Sequence, residues 1–198
     1  MKNTASRPLL IFLGSTAILV LIGLAVLTNA SIPLSQSNHG ESFYYFKHLI
    51  IYGLGVGLAA FILFSRLNHN HLKKLALPLL LLAVILLVLV FVPQIGYQSG
   101  GAKRWIRVMD FSFQPSELAK LAIIIYLAHW LESKKDKIKK PALVIPFLFW
   151  LGLVGGLVLI EPDLGTFIII CLVALGMYFA AGARIKTLAV LGLAGILI

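Results

Sequence analysis

Chemistry in this chain is concentrated between Gly100 and Lys120, where Gly100-Gly101-Ala102-Lys103-Arg104-Trp105-Ile106 is followed by Gln114-Pro115-Ser116-Glu117-Leu118-Ala119-Lys120. Lys103, Arg104 and Arg107 beside Trp105 allow two readings. They can form an anion site for a phosphate-bearing lipid, because a guanidinium binds phosphate bidentately. They can equally lie on an interfacial helix, with the cations among headgroups and Trp105, Ile106 and Met109 in the lipid boundary. Gln114, Glu117 and Lys120 are spaced three apart, so a helix puts them on one face, with Glu117 and Lys120 as a natural ion pair. Pro115 suits the first helical position and Glu117 the third, where an acid can satisfy free N–H groups. That accounts for Glu117 and leaves Lys120 unexplained, a cation near the positive end of the helix dipole. A second acidic turn, Glu161-Pro162-Asp163-Leu164-Gly165-Thr166, supplies Asp163 as a further carboxylate, although proline and acids also suit a helix's first turn.

The elements that must position these residues are set by composition. The chain is 60% hydrophobic and 12% charged, with a mean hydropathy of +1.00. A soluble domain has about half its residues apolar and about a quarter charged, so this is an integral membrane protein. Its net charge of +10 does not indicate nucleic-acid binding, because the cations sit in short loops between apolar runs rather than on one soluble face. Crossing ~30 Å of hydrocarbon takes about 20 helical residues, and such runs fall at roughly 8–28, 48–65, 75–92, 113–131, 142–160 and 164–182. The first is too long for the apolar core of a cleaved signal, about 7–15 residues, and reads as a retained span. A seventh begins at Thr187 and reaches only Ile198. The pattern predicts an all-α polytopic transmembrane helix bundle, six full spans plus a truncated seventh, in a single integral membrane domain over residues 1–198 that belongs to a longer protein.

Lysine and arginine in short loops are retained on the cytoplasmic side. Alternate loops place Lys2, Arg7, Arg66, Lys73, Lys74, Lys134, Lys135, Lys137, Lys139, Lys140, Arg184 and Lys186 on one side, against Lys47, Lys103, Arg104 and Arg107 on the other. Twelve against four puts the N-terminus in the cytoplasm and Gly100–Arg107 outside. Tyr44, Tyr45, Tyr97 and Trp105 then fit an outer aromatic belt. At 1.5 Å per residue Lys120 lies roughly 16–21 Å above the cytoplasmic interface, where an isolated charge costs about 2.5–3.5 kcal/mol. Intramembrane charge usually faces a bundle interior or a water-filled cavity. The expectation is an outward-facing cavity bordered by Glu117, Lys120 and Asp163, with Gln114 and Ser116 at the helix start beside it.

Other features have plainer readings. The run from Glu132 to Lys140 is a topogenic anchor. His69 and His71 lack a third ligand, and no cluster requires a metal or other cofactor. Gly53-x-x-x-Gly57 and Gly152-x-x-x-Gly156 permit close helix approach. Cys171, the one cysteine, has no intrachain partner.

The ordered set Gly101-Ala102-Lys103-Arg104-Trp105-Ile106, Gln114-Pro115-Ser116-Glu117-Leu118-Ala119-Lys120 and Pro162-Asp163-Leu164-Gly165-Thr166 closely resembles the SEDS proteins (shape, elongation, division and sporulation), of which FtsW, RodA and SpoVE are familiar members. Phe43-Tyr44-Tyr45-Phe46-Lys47 and Val92-Pro93-Gln94-Ile95-Gly96 lean towards the FtsW branch. The resemblance implies a multi-pass protein of the bacterial inner membrane, with septal placement in the FtsW branch. It implies an activity too: a peptidoglycan glycosyltransferase that polymerises lipid II, an undecaprenyl-linked substrate, usually with a class B penicillin-binding protein as transpeptidase partner.

The family has about ten spans, and its essential aspartate lies in a large extracellular loop beyond the seventh, so the resemblance places no catalytic base among these 198 residues. It carries over Lys103 and Arg104 near the outer surface, Glu117 and Lys120 in the cavity wall and Asp163 at its rim. Transfer to a sugar hydroxyl asks for a carboxylate to take the proton and cations to stabilise the departing pyrophosphate; this stretch would supply the cations. Two other functions fit the same pattern: a transporter moving a lipid-linked precursor, and a non-catalytic membrane scaffold for division proteins.

Overall fold

Hydrocarbon offers a backbone no hydrogen-bond partner but itself. The apolar runs accordingly close into helices in the computed structural model, which describes residues 6–99, 101–108, 111–138 and 140–183 and divides the chain into two units, Met1–Leu67 and Asn68–Ile198. In the first unit, α1 (Ser6–His39) runs 34 residues, well past its expected end near residue 28. Its polar residues are accommodated because their hydroxyls turn back onto the helix. Ser15 and Thr16 donate to the Phe12 carbonyl at 2.9 and 2.8 Å, and Thr28 donates to that of Leu24 at 2.6 Å. The second span is continuous from Tyr44 to Arg66, as α2 (Tyr44–His48), a π-helical stretch (Leu49–Gly55) and α3 (Val56–Arg66). The backbone N–H of Tyr45 donates to the buried Ser35 Oγ at 3.3 Å and so ties α2 to α1.

The second unit is built around α5. Its elements are α4 (His69–Leu89), a three-stranded antiparallel sheet of β1 (Gly96–Ser99), β2 (Ala102–Val108) and β3 (Phe111–Phe113), then α5 (Pro115–Ser133), α6 (Val144–Ile160) and α7 (Leu164–Ala180). Asn68 caps α4 by accepting from the Asn70 N–H at 3.1 Å. Buried Ala119, Ala122, Ile123, Tyr126 and Leu127 recur at helical spacing along α5 and meet Leu80, Ala83 and Leu87 of α4, Phe147, Leu151, Val154 and Val158 of α6, and Ile170, Ala174 and Tyr178 of α7. Lipid is as apolar as these side chains, so close approach through small residues holds such a bundle. Gly155 is one such point, since a Cβ there would stand 3.0 Å from the Phe167 ring. The Gly53/Gly57 and Gly152/Gly156 pairs behave otherwise: a Cβ at Gly57, Gly152 or Gly156 would meet nothing within 4 Å, and one at Gly53 would meet only Leu49 of its own span. At the end of α5 away from the sheet, Lys73 Nζ lies 2.7 Å from Glu132 Oε1 and joins α4 to α5.

The sheet is the departure from an all-helical expectation. Lys103, Arg104 and Arg107 lie in β2, which excludes the interfacial helix. Gly101, at φ +85°, makes the turn into β2 in the left-handed region that glycine tolerates. Gly96 starts β1 so close to α4 that any Cβ would run into the Val90 carbonyl oxygen. Among the described residues, four helical spans are long and apolar enough to cross a membrane: Arg7–Ser37, Tyr44–Arg66, His69–Leu89 and Pro141–Ile160. The 17-residue α7 is apolar but shorter, and the 19-residue α5 carries Glu117 and Lys120. Six helical segments thus occupy the six expected spans, and the molecule is a multi-pass helical membrane protein. The predicted seventh span from Thr187 lies outside the described residues, as do Lys2, Gly100, Met109, Lys139, Arg184 and Lys186.

Candidate functional site

Strand alternation divides the cations of β2. Ala102 and Ile106 are buried, and Arg104 between them turns the same way, towards the bundle. Lys103, Trp105 and Arg107 take the other face. There Trp105 pairs across the ladder with Tyr97, over whose ring the Arg107 guanidinium lies, 5.1 Å from the centroid. Arg104 reaches the turn between α6 and α7. Its Nε donates to the Glu161 carbonyl at 3.1 Å, an NH2 nitrogen donates to the Pro162 carbonyl at 2.5 Å, and the other terminal nitrogen lies 3.9 Å from Asp163 Oδ1. A rigid fork of donors suits this three-point grip, which a flexible ammonium does not reproduce.

Asp163 is the centre of that turn. As the N-cap of α7 it accepts from the Thr166 N–H at 3.1 Å and from the Thr166 hydroxyl at 2.9 Å, which satisfies a free donor of the helix start. Gln114 adds a third bond, donating from Nε2 to Asp163 Oδ2 at 3.0 Å, and the same nitrogen lies 2.9 Å from the buried Ser116 Oγ. Gln114 immediately precedes Pro115, which opens α5. The two helix starts, α5 and α7, are therefore fastened together by side chains from both.

Glu117 and Lys120 form a separate pair one turn further along α5, with Nζ 2.8 Å from Oε1. The N-cap residue Gln114 makes no side-chain cap at the helix start; the Glu117 carboxylate holds the lysine. Lys120 is 22% exposed at its side chain and Glu117 60%. Lys120 borders a cavity of about 60 Å³ between α5 and α7, otherwise lined by apolar side chains such as Ile123, Ile124, Ile169 and Ile170. Asp163 at the start of α7 and Lys120 beside Ile169 and Ile170 thus lie along the same α5–α7 seam, at successive heights. The structure brings Arg104, Gln114, Ser116 and Asp163 into one cluster, sets Glu117 and Lys120 below it, and leaves Lys103 and Trp105 on the far face of the sheet.

Glu161 has a role that spacing alone does not show. Its side chain is 0% exposed and neither carboxylate oxygen has a hydrogen-bond partner. Burial above all, reinforced by the neighbouring Asp163 and opposed by Arg104, pushes its carboxyl up to about 8. An acid between two apolar runs was the visible signal. Its backbone carbonyl accepts from Arg104 of β2.

Residues 9–198 match the family model described as "Cell cycle protein", which covers FtsW, RodA and SpoVE. The protein named probable peptidoglycan glycosyltransferase FtsW from Geobacter sp. (strain M18) is 36% identical over 189 residues, which cover 93% of this chain and 50% of that one. Its namesake from Haemophilus influenzae (strain Rd) is 37% identical over 183 residues, 91% of this chain and 45% of that one. The chain therefore spans about half the length of these relatives. The crystal structure of Thermus thermophilus rod shape determining protein RodA shares 30% identity and superposes with a TM-score of 0.65, covering 89% of this chain and 58% of RodA. A chain of a peptidoglycan synthase complex, solved for the coordination of polymerization and crosslinking, gives 31% identity and a TM-score of 0.65 over 89% of this chain and 52% of its own.

Proposed function

The chain belongs to the FtsW, RodA and SpoVE family of cell cycle proteins, and from that premise we propose that it forms part of a peptidoglycan glycosyltransferase that polymerises lipid II at the bacterial inner membrane. In this reading the protein acts at the division septum with a class B penicillin-binding protein as transpeptidase. The excess of cations in alternate loops supports a cytoplasmic N-terminus and so an outward-facing sheet and α6–α7 turn. The observation that carries the proposal is Lys120, which lines the α5–α7 cavity and whose ammonium pairs with Glu117. Intramembrane charge of this kind marks substrate paths.

In the transfer, an acceptor sugar hydroxyl oxygen bonds to the anomeric carbon of the donor as the bond from that carbon to the pyrophosphate oxygen breaks. The hydroxyl proton goes to a carboxylate, and negative charge grows on the leaving group. Lys120 has three N–H donors; one contacts Glu117, and the others are available for a pyrophosphate oxygen. Arg104 is committed to the turn, so it shapes the rim rather than gripping phosphate. Asp163, with three accepted hydrogen bonds and a guanidinium beside it, serves as a keystone of that rim. The base then comes from outside these 198 residues, as the family resemblance implies.

The test is polymerisation of purified lipid II by the full-length protein. Glycan chains should form, and Lys120→Met should lower the rate at least about tenfold, equivalent to ~1.4 kcal/mol of transition-state stabilisation, with membrane insertion unchanged. Lipid translocation in vesicles without polymer would make the protein a transporter of the precursor, and retained partner binding with neither activity would make it a scaffold.

A further inference from the structure

Two carboxyl groups share the α6–α7 turn, and their surroundings differ sharply. Asp163 accepts three hydrogen bonds, whereas Glu161, as deeply buried, has none on either oxygen. One guanidinium, that of Arg104, serves the whole turn. An unpaired buried carboxylate costs several kcal/mol, and such a group takes up a proton instead. When two acids crowd one site, their environments push the ionisations apart.

We propose that Glu161 is held as a neutral carboxylic acid and that its proton keeps the sheet latched to the α6–α7 turn through Arg104. With Glu161 neutral, the turn carries one negative charge, on Asp163, matched by one positive charge, and the guanidinium rests on the Glu161 and Pro162 carbonyls. Loss of the proton to water sets a second, unsolvated anion beside Asp163, and the anion gains hydration only if the turn opens and parts its carbonyls from Arg104. The grip on β2 is released. The direction of the carboxyl's shift, set first by burial and then by Asp163, agrees with this geometry. Glu161 is on this account a positioning residue, acting on the outer rim through Arg104. The consequence for transfer rests on the glycosyltransferase reading, but the latch does not.

The experiment is infrared spectroscopy of the full-length protein in nanodiscs across the range from about pH 6 to about pH 10, wild type minus Glu161→Gln. A protonated-carboxyl C=O band is expected at neutral pH and should disappear as the pH passes about 8. Hydrogen exchange of the β2 amides, corrected for intrinsic rates, gives the second readout. Protection should fall by up to about tenfold per pH unit as the pH rises towards about 8 in the wild type and level off above it, because below that point opening releases the Glu161 proton, and should stay level in Glu161→Gln. Glu161→Met, which cannot ionise, repeats both comparisons. No difference band at neutral pH, or the same alkaline loss of β2 protection in wild type and both variants, overturns the proposal. Neither readout uses transferase activity, so a failed polymerisation assay would leave this result standing and the reverse also holds.

Discussion

Gln114 Nε2 lies 3.0 Å from Asp163 Oδ2, so the residue preceding α5 and the residue preceding α7 are bound side by side at the sheet end of the bundle. Gln114→Leu removes the hydrogen bond that links these helix starts, and leaves Ser116 Oγ buried without that donor. A loss of about 1–3 kcal/mol is expected, measured by denaturant titration in mixed micelles. Gln114→Glu should cost more, because it sets a like charge against Asp163.

Arg104 is the stay between sheet and turn. Arg104→Lys keeps the charge and loses the fork, so exchange of the Ala102–Val108 amides should rise nearly as far as in Arg104→Ala. If the lysine variant keeps wild-type protection, charge alone holds the sheet.

Helix packing at Gly155 is tight. Gly155→Val should cost about 1–3 kcal/mol by forcing the Phe167 ring aside, whereas Gly152→Ala, where nothing lies within 4 Å of the added carbon, should be close to neutral. Thermal unfolding of the two variants in detergent separates these outcomes.

Glu161 fixes the sign of a pH effect on stability. Its carboxyl ionises near 4.5 when exposed and is pushed up to about 8 in the fold, so the folded protein keeps a proton that the unfolded chain releases. Stability should therefore fall as the pH rises from about 4.5 through about 8 and then level off, by at most ~1.4 kcal/mol per pH unit from this group. Glu161→Gln should flatten that slope. An unchanged slope would mean that another group sets it.

Much of this arrangement was legible in the residues. Long apolar runs dictate helices whatever surrounds them, and Pro115 opens α5 where its missing N–H costs nothing. The far end of α1 was missed because residues 29–39 are polar in composition and include Pro33, yet the helix continues through it. The sheet was missed for a different reason. Arg104 stands on the inward face of β2 between Ala102 and Ile106, which spoils the apolar–polar alternation of a half-buried strand, although Gly100-Gly101 is a hairpin signal. Without the sheet, Arg104 reads as a free phosphate ligand and Glu161 as an ordinary acid near a helix start. Their roles come from contacts across more than fifty residues.

On the proposed function, the α5–α7 seam below Asp163 receives the pyrophosphate-linked lipid at Lys120. Photo-crosslinking tests it directly. A photoreactive residue is placed at Ile124, which lines the seam, or at Ile145 on α6, 73% exposed and outside it, in the full-length protein incubated with radiolabelled lipid II. The expected result is labelling from position 124 well above that from 145, and its loss in Lys120→Met. Equal labelling at both positions, unaffected by Lys120→Met, would contradict the claim.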